Sequence, residues 1–275
     1  MLNKLIKHEW RAFWKVPAFV SLFLAIFTLF GVIALSAKIW ETDNPVIMAL
    51  SVFVMLFYYI AIFVVSFVAI LYTALRFYKN IYTDEGYLMH TLPVTQKSLI
   101  LSKLIVSYIW TIIIAVVIIL SISGLVCALL ATTGTLSSFW ENIQEIMEIL
   151  SSYGFMKEFQ EVLGIGFVPL IIVWILIALL SPLSNILMIY TSISLGQLFK
   201  KHKVGGAILS YIGIYTVLQI INSIVTAPIM FSTANTAELT VFGPMMYFTL
   251  GEQILLIIGF FFLTEWIMKR KLNLE

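Results

Sequence analysis

Apolar residues run along this chain in long uninterrupted blocks, and they do not alternate with polar ones. Six blocks stand out, at about residues 17–39, 46–75, 99–131, 165–198, 204–231 and 244–268. At 1.5 Å per residue each can cross the roughly 30 Å of hydrocarbon in a bilayer. Backbone groups in hydrocarbon must be satisfied internally, which leaves helices or a closed barrel. Barrel strands need period-two alternation, so these blocks predict helices. The second, third and fourth exceed the bilayer and must tilt or project into water. The first is too long for a signal-peptide core, and Leu35-Ser36-Ala37 is a poor cleavage context, so it is read as a span. The expected fold is an all-α integral membrane protein, a single transmembrane domain over 1–275.

Three polar stretches have structure of their own. In 1–16, Leu2, Leu5, Ile6, Trp10, Phe13 and Trp14 fall on one helical face and Lys4, Lys7, Arg11 and Lys15 on the other. That is the pattern of an amphipathic helix among lipid headgroups, with Pro17 suited to the turn into the first span. In 132–164, Phe139, Ile143, Ile146, Met147 and Leu150 recur at helical spacing, opposite Glu141, Glu145 and Glu148. A short amphipathic helix is expected there on the outer surface. The third stretch, 76–98, joins the second and third spans.

Composition agrees with the pattern. Hydrophobic residues make up 61% of the chain and charged ones 11%, against about 25% charged in a soluble domain. Charge placement adds orientation. All of the 16 basic residues except Lys38 and Lys157 lie in 1–16, 76–98, 199–203 and 269–275 or at Lys103, the foot of the third span. The positive-inside rule then puts both termini in the cytoplasm and makes 132–164 an acidic extracellular loop. The lone cysteine, Cys127, forms no internal disulfide and is read as a packing residue. Membrane lipids are expected partners, and nucleic acid is not.

The loop between the second and third spans is more than a linker. Thr83 or Asp84 can cap a short helix, with Asp84 and Glu85 at its positive end. Leu92 and Pro93 resist its continuation. A two- to three-turn helix follows, presenting Tyr87, Leu88 and Leu92, and Thr95 suits the cap of the third span. Short helices with apolar knobs dock into grooves on partner proteins.

These residues carry a family resemblance. Asp84-Glu85-Gly86-Tyr87, then Thr91-Leu92-Pro93-Val94-Thr95-Gln96-Lys97, resembles the loop before span three in permease subunits of type-2 (ABC-2-like) exporters. The topology is similar over the whole chain, the motif over about 25 residues. The resemblance implies an amphipathic N-terminal connecting helix and a cytoplasmic coupling helix between spans two and three. Its coupling residues would be Asp84, Glu85, Gly86, Tyr87, Leu88, His90 and Leu92. It also implies a separate ABC ATPase subunit holding ATP and Mg, a second permease chain (identical or related), and a bacterial cell membrane. One departure stands out. Better-known exporters of this class place their large outer loop between spans five and six. Here that loop, about 232–243, is short, and the large one follows span three.

Polar residues inside the spans offer candidate chemistry. Tyr211, Tyr215, Gln219, Asn222, Ser223 and Thr226 form one stripe, and Ser181, Ser184, Asn185, Met188 and Ser192 another, with Pro182 placed to loosen the helix. Such stripes hold helices together or line a path. Glu252 is a charged group inside the sixth span. Asn185, Gln219, Asn222, Thr226 and Glu252 are therefore the expected substrate-path residues, while Glu265 reads as interfacial. Catalysis by this chain is not expected. His8, His90 and His202 all lie in cytoplasmic segments, and Glu252 and Glu265 stand about 20 Å apart along one helix. No G-x-x-x-x-G-K-[ST] loop occurs, so no cofactor is expected on this chain. The expected function is outward transport of a hydrophobic or amphipathic substrate such as an antimicrobial peptide, a drug or a lipid-like molecule. The alternatives are an ion-gradient-driven transporter or channel and a non-transporting sensor or assembly subunit.

Overall fold

A computed structural model describes residues 2–37, 44–83, 86, 94–199, 201–234 and 242–270. Among the described residues all regular structure is helical. The helices are α1 (Leu2–Phe13), α2 (Lys15–Ser36), α3 (Pro45–Tyr82), α4 (Gln96–Thr132), α5 (Leu136–Ser151), α6 (Tyr153–Leu163), α7 (Phe167–Gly196), α8 (Lys203–Ala234) and α9 (Phe242–Arg270). Six of them, α2, α3, α4, α7, α8 and α9, are long and apolar enough to cross a membrane. Only 6% to 22% of the most apolar stretch of each is buried. Apolar exposure on that scale is stable only in contact with lipid, so the chain has the character of a multi-pass membrane protein.

The contacts group into two compact units. In residues 3–73 and 105–148 the core is Leu24, Leu35, Tyr58, Ala61, Val65, Ile114 and Leu125, from α2, α3 and α4. A hydroxyl chain crosses it. Tyr58 Oη lies 2.7 Å from Ser121 Oγ, which lies 2.6 Å from Thr28 Oγ1. Thr28 gives its one proton to the Leu24 carbonyl at 2.8 Å. Ser121 therefore donates to Thr28, and Tyr58 to Ser121. The amphipathic α1 belongs to this unit. Its apolar face is partly covered by protein, with Trp10 stacked on Trp110 (centroids 5.1 Å apart) and Phe13 edge-on to Tyr72 (4.8 Å). Trp14 leaves that face and is exposed. It is the single turn residue between α1 and α2, so the break comes before Pro17, inside the first turn of α2. Pro17 has no N–H to offer the carbonyl of Phe13, which explains a break one turn upstream.

In residues 1–2, 74–104 and 149–275, α7 is the central helix. Its residues Ile186–Ser194 are buried without interruption, and it packs against both α8 and α9. Gly196 sits where α7 meets α8: a Cβ there would lie 2.5 Å from the Ala207 backbone nitrogen.

Three expectations need correction. The second span does not give way to a loop at residue 76, because α3 continues to Tyr82. Phe77 and Ile81, four apart and each 1% exposed, give the continuation a buried face. At 38 residues α3 is about 57 Å long, well beyond the hydrocarbon thickness. The 132–164 loop holds two helices, because Ser152 breaks the run and caps α6 through the Phe155 N–H (3.3 Å). Cys127 does not pack inside but is exposed on α4, as a small apolar residue facing lipid can be. The short helix expected at 84–93 lies outside the described residues.

Gly196 yields a stability prediction. Gly196→Val should lower the thermal unfolding temperature of the detergent-solubilised protein, by the ~1–3 kcal/mol of an overpacked contact. Gly213→Ala, whose new Cβ meets nothing within 4 Å, should leave it unchanged or raise it slightly.

Candidate functional site: the α7–α9 pair and the polar groups around it

The residues with functional potential gather on α7 and α9. At one level the two helices are joined by Thr191 and Thr264, whose hydroxyls lie 2.9 Å apart and are both fully buried. Thr191 Oγ1 points its proton at the Leu187 carbonyl (2.8 Å) and the Phe260 carbonyl (3.2 Å). Thr264 is therefore the donor between the threonines.

The end of α3 is fastened to this level of α7. Phe77 lies face to face with Tyr190, ring centroids 3.7 Å apart and planes within 7°. Tyr82 Oη donates to Ser194 Oγ at 2.7 Å, and Ser194 passes its own proton to the Tyr190 carbonyl at 2.8 Å. The start of α4 is fastened to α9. Thr95 caps α4, its Oγ1 accepting from the Ser98 N–H at 3.3 Å, as expected. Gln96 Nε2 donates to the Met268 carbonyl at 3.3 Å. Lys97 Nζ lies 3.7 Å from Glu265 Oε2, and Lys269 pairs with Glu265 Oε1. The segment between Tyr82 and Gln96 thus has one foot on α7 and the other on α9.

Glu265, read from sequence as interfacial, is only 4% exposed. A buried carboxylate persists only when paired, and two lysines from two helices supply the pairing. Within the 83–95 segment, Gly86 is described and occupies a place no other residue fits. Its N–H donates to the Thr83 carbonyl at 2.7 Å, and a Cβ would lie 2.2 Å from the Ile81 oxygen. Asp84, Glu85, Tyr87, Leu88, His90 and Leu92 lie outside the described residues.

A second polar layer lies about 20 Å further along α9. Gln253 bonds Ser184 of α7, and the adjacent Glu252 accepts from Asn222 Nδ2 of α8 at 2.9 Å. Consecutive residues of α9 therefore reach two different helices. Of the expected path residues, the fold brings Asn222 and Glu252 together. Thr226 donates to the Asn222 carbonyl at 2.7 Å, one turn back on α8. Asn185 and Gln219 are turned elsewhere. Asn185 Nδ2 bonds the Ser181 carbonyl (2.8 Å) and Gln219 Nε2 bonds Tyr215 Oη (3.1 Å), each within its own helix and exposed.

Sequence reasoning missed Tyr82, Gln253 and the burial of Glu265. Gln253 carried a signal, being an amide beside a carboxylate inside an apolar run. Phe77 and Ile81 carried one in their spacing of four. The burial of Glu265 carried none, because its partner Lys97 lies 168 positions away in the chain.

The Asn222–Glu252 bond makes a quantitative prediction. A double-mutant cycle with Asn222→Ala and Glu252→Ala, read from unfolding in mixed micelles, should give a coupling of ~0.5–2 kcal/mol. The same cycle with Gln219→Ala and Glu252→Ala should give a coupling near zero.

The chain matches no protein-family model, no curated protein and no solved structure.

Proposed function

We propose that this chain is the membrane subunit of an ATP-driven exporter of the ABC-2-like kind, working with an ATPase on a separate chain. The observation that carries the reading is the double anchorage of the 83–95 segment, with Tyr82 on Ser194 of α7 and Lys97 on Glu265 of α9. A partner that docks on this segment and moves with its ATP cycle would displace both feet together. Thr191 and Thr264 join the two receiving helices at that level. The displacement would run along α7 and α9 to Ser184, Gln253, Glu252 and Asn222. The resemblance of Asp84–Tyr87 and Thr91–Lys97 to the coupling loop of such permeases supports the same assignment.

In this reading ATP and Mg belong to the partner, and two permease chains, identical or related, form the transport unit in a bacterial cell membrane with both termini inside. ATP binding shifts the balance between inward-open and outward-open bundles, as differential binding to two states requires. A hydrophobic or amphipathic substrate enters from the inner side and leaves outward. Glu252 and Asn222 offer it a polar contact in otherwise apolar surroundings.

A second reading, an ion-gradient-driven transporter, draws on Glu252 itself. A carboxylate inside an apolar helix, bonded to an amide of a neighbouring helix, is the kind of intramembrane ionisable group that marks ion pathways. Transport that survives ATP depletion and stops when the proton gradient collapses would select this reading.

The main proposal is tested by co-purification of this chain with a co-expressed ABC ATPase from the same genome. The wild-type chain should retain it in mild detergent, and Tyr87→Asp with Leu88→Asp should cut retention by about tenfold or more. Equal retention by the variant, or none by the wild type, would overturn the reading. Glu252→Gln should keep the ATPase bound and lower export, measured as survival of cells challenged with substrate.

A further inference from the structure

We infer that the cleft between the start of α4 and the end of α9 binds the phosphate group of an anionic phospholipid, held between Lys97 and Lys269. The cleft has a volume of about 420 Å³ and is lined by Thr95, Gln96, Lys97, Glu265 and Lys269. Its two ammonium groups come from different helices and are held close together because both pair with Glu265. The carboxylate is buried, its side chain 6% exposed, while the lysines are 52% and 54% exposed. Each lysine therefore keeps donors free on its open side, and an ammonium has three.

Charge selects the ligand class. Glu265 offsets one of the two ammonium groups and leaves a single net positive charge. A phosphodiester carries a single negative charge, so it neutralises the cleft, and its two unesterified oxygens can each take one lysine. Glu265 itself repels a phosphate, which restricts it to the open side of the lysines.

Surroundings select a lipid over a free ion. The cleft lies at the end of a helix apolar enough to cross a membrane. From it an exposed apolar strip runs back along α9 through Trp266, Leu263, Phe262, Ile258 and Leu255. Lys97 Nζ lies 5.7 Å from the Phe262 ring centroid, and the Arg270 guanidinium lies 5.9 Å from that of Trp266. Basic groups over aromatic rings mark headgroup depth, and the strip below offers acyl chains a track. Basic pockets between spanning helices are recurrent headgroup sites.

The test uses the whole chain in nanodiscs of phosphatidylcholine with a minor fraction of phosphatidylglycerol, with retained lipid counted by native mass spectrometry. The wild type should keep phosphatidylglycerol preferentially. Lys97→Gln with Lys269→Gln should lower that retention on the order of tenfold. Lys97→Arg with Lys269→Arg keeps the charge and should retain the lipid, which separates loss of the site from loss of the fold. Lys201→Gln with Lys203→Gln, which removes two basic residues elsewhere, should change nothing. The inference is overturned by any of three results: no preference in the wild type, an equal loss with the Lys201/Lys203 variant, or inorganic phosphate alone competing as well as the lipid does.

Discussion

A hydroxyl has one proton, and inside hydrocarbon no water offers it a second choice of partner. In this chain Thr28, Ser66, Thr73, Thr111, Thr191, Ser192, Ser194, Thr216 and Thr226 all give that proton to the carbonyl four residues back in their own helix. The oxygen is left as an acceptor. Contacts between helices then have a direction: Ser121 donates to Thr28, Tyr82 to Ser194, and Thr264 to Thr191. Without a hydrophobic drive between helices in lipid, such directed bonds and close packing carry the association.

The second unit is organised around α7 for this reason. Its residues Ile186–Ser194 are covered without a break, and each polar side chain among them has a named partner. Thr191 and Ser194 use their spare lone pairs to hold α9 and the end of α3. Tyr190 contributes its ring to Phe77 and its carbonyl to Ser194. A helix that bonds two neighbours in this way and packs on a third cannot shift without shifting them, since packed interfaces switch between arrangements rather than deform continuously.

Charge is handled differently from hydroxyls. Glu252 is served by one neutral amide, whereas Glu265 is held by two ammonium groups. A buried carboxylate paired with two ammonium groups is committed to its structural place, whereas Glu252 has the weaker hold of a hydrogen bond to an amide. The two acids of α9 are therefore held in different ways, Glu252 by a hydrogen bond from α8 and Glu265 by ion pairs that fix the foot of α4. The lysines that hold Glu265 keep free donors on their other side, which is why one cluster can be both a structural joint and a headgroup site.

The sequence by itself determined the helices. Length and unbroken apolarity are local properties, and hydrocarbon leaves a long apolar run no other backbone solution, so six spanning helices and the amphipathic α1 were legible from the residues alone. The Asn222–Glu252 contact was legible in part, because amides and acids in apolar runs are few and seek one another. What faces lipid and what faces protein was not legible. In a soluble protein the outside is polar and marks itself; here both sides are apolar, so Cys127 and Met188 look alike in the sequence although one is exposed and the other buried. Only the tertiary structure decided that α3 runs on to Tyr82, that Asn185 and Gln219 turn back onto their own helices, and that Glu265 is buried between two lysines. The first and last of these depend on side chains from distant parts of the chain arriving at one place, Tyr190 and Ser194 at the end of α3 and Lys97 at Glu265, and no local pattern encodes that arrival.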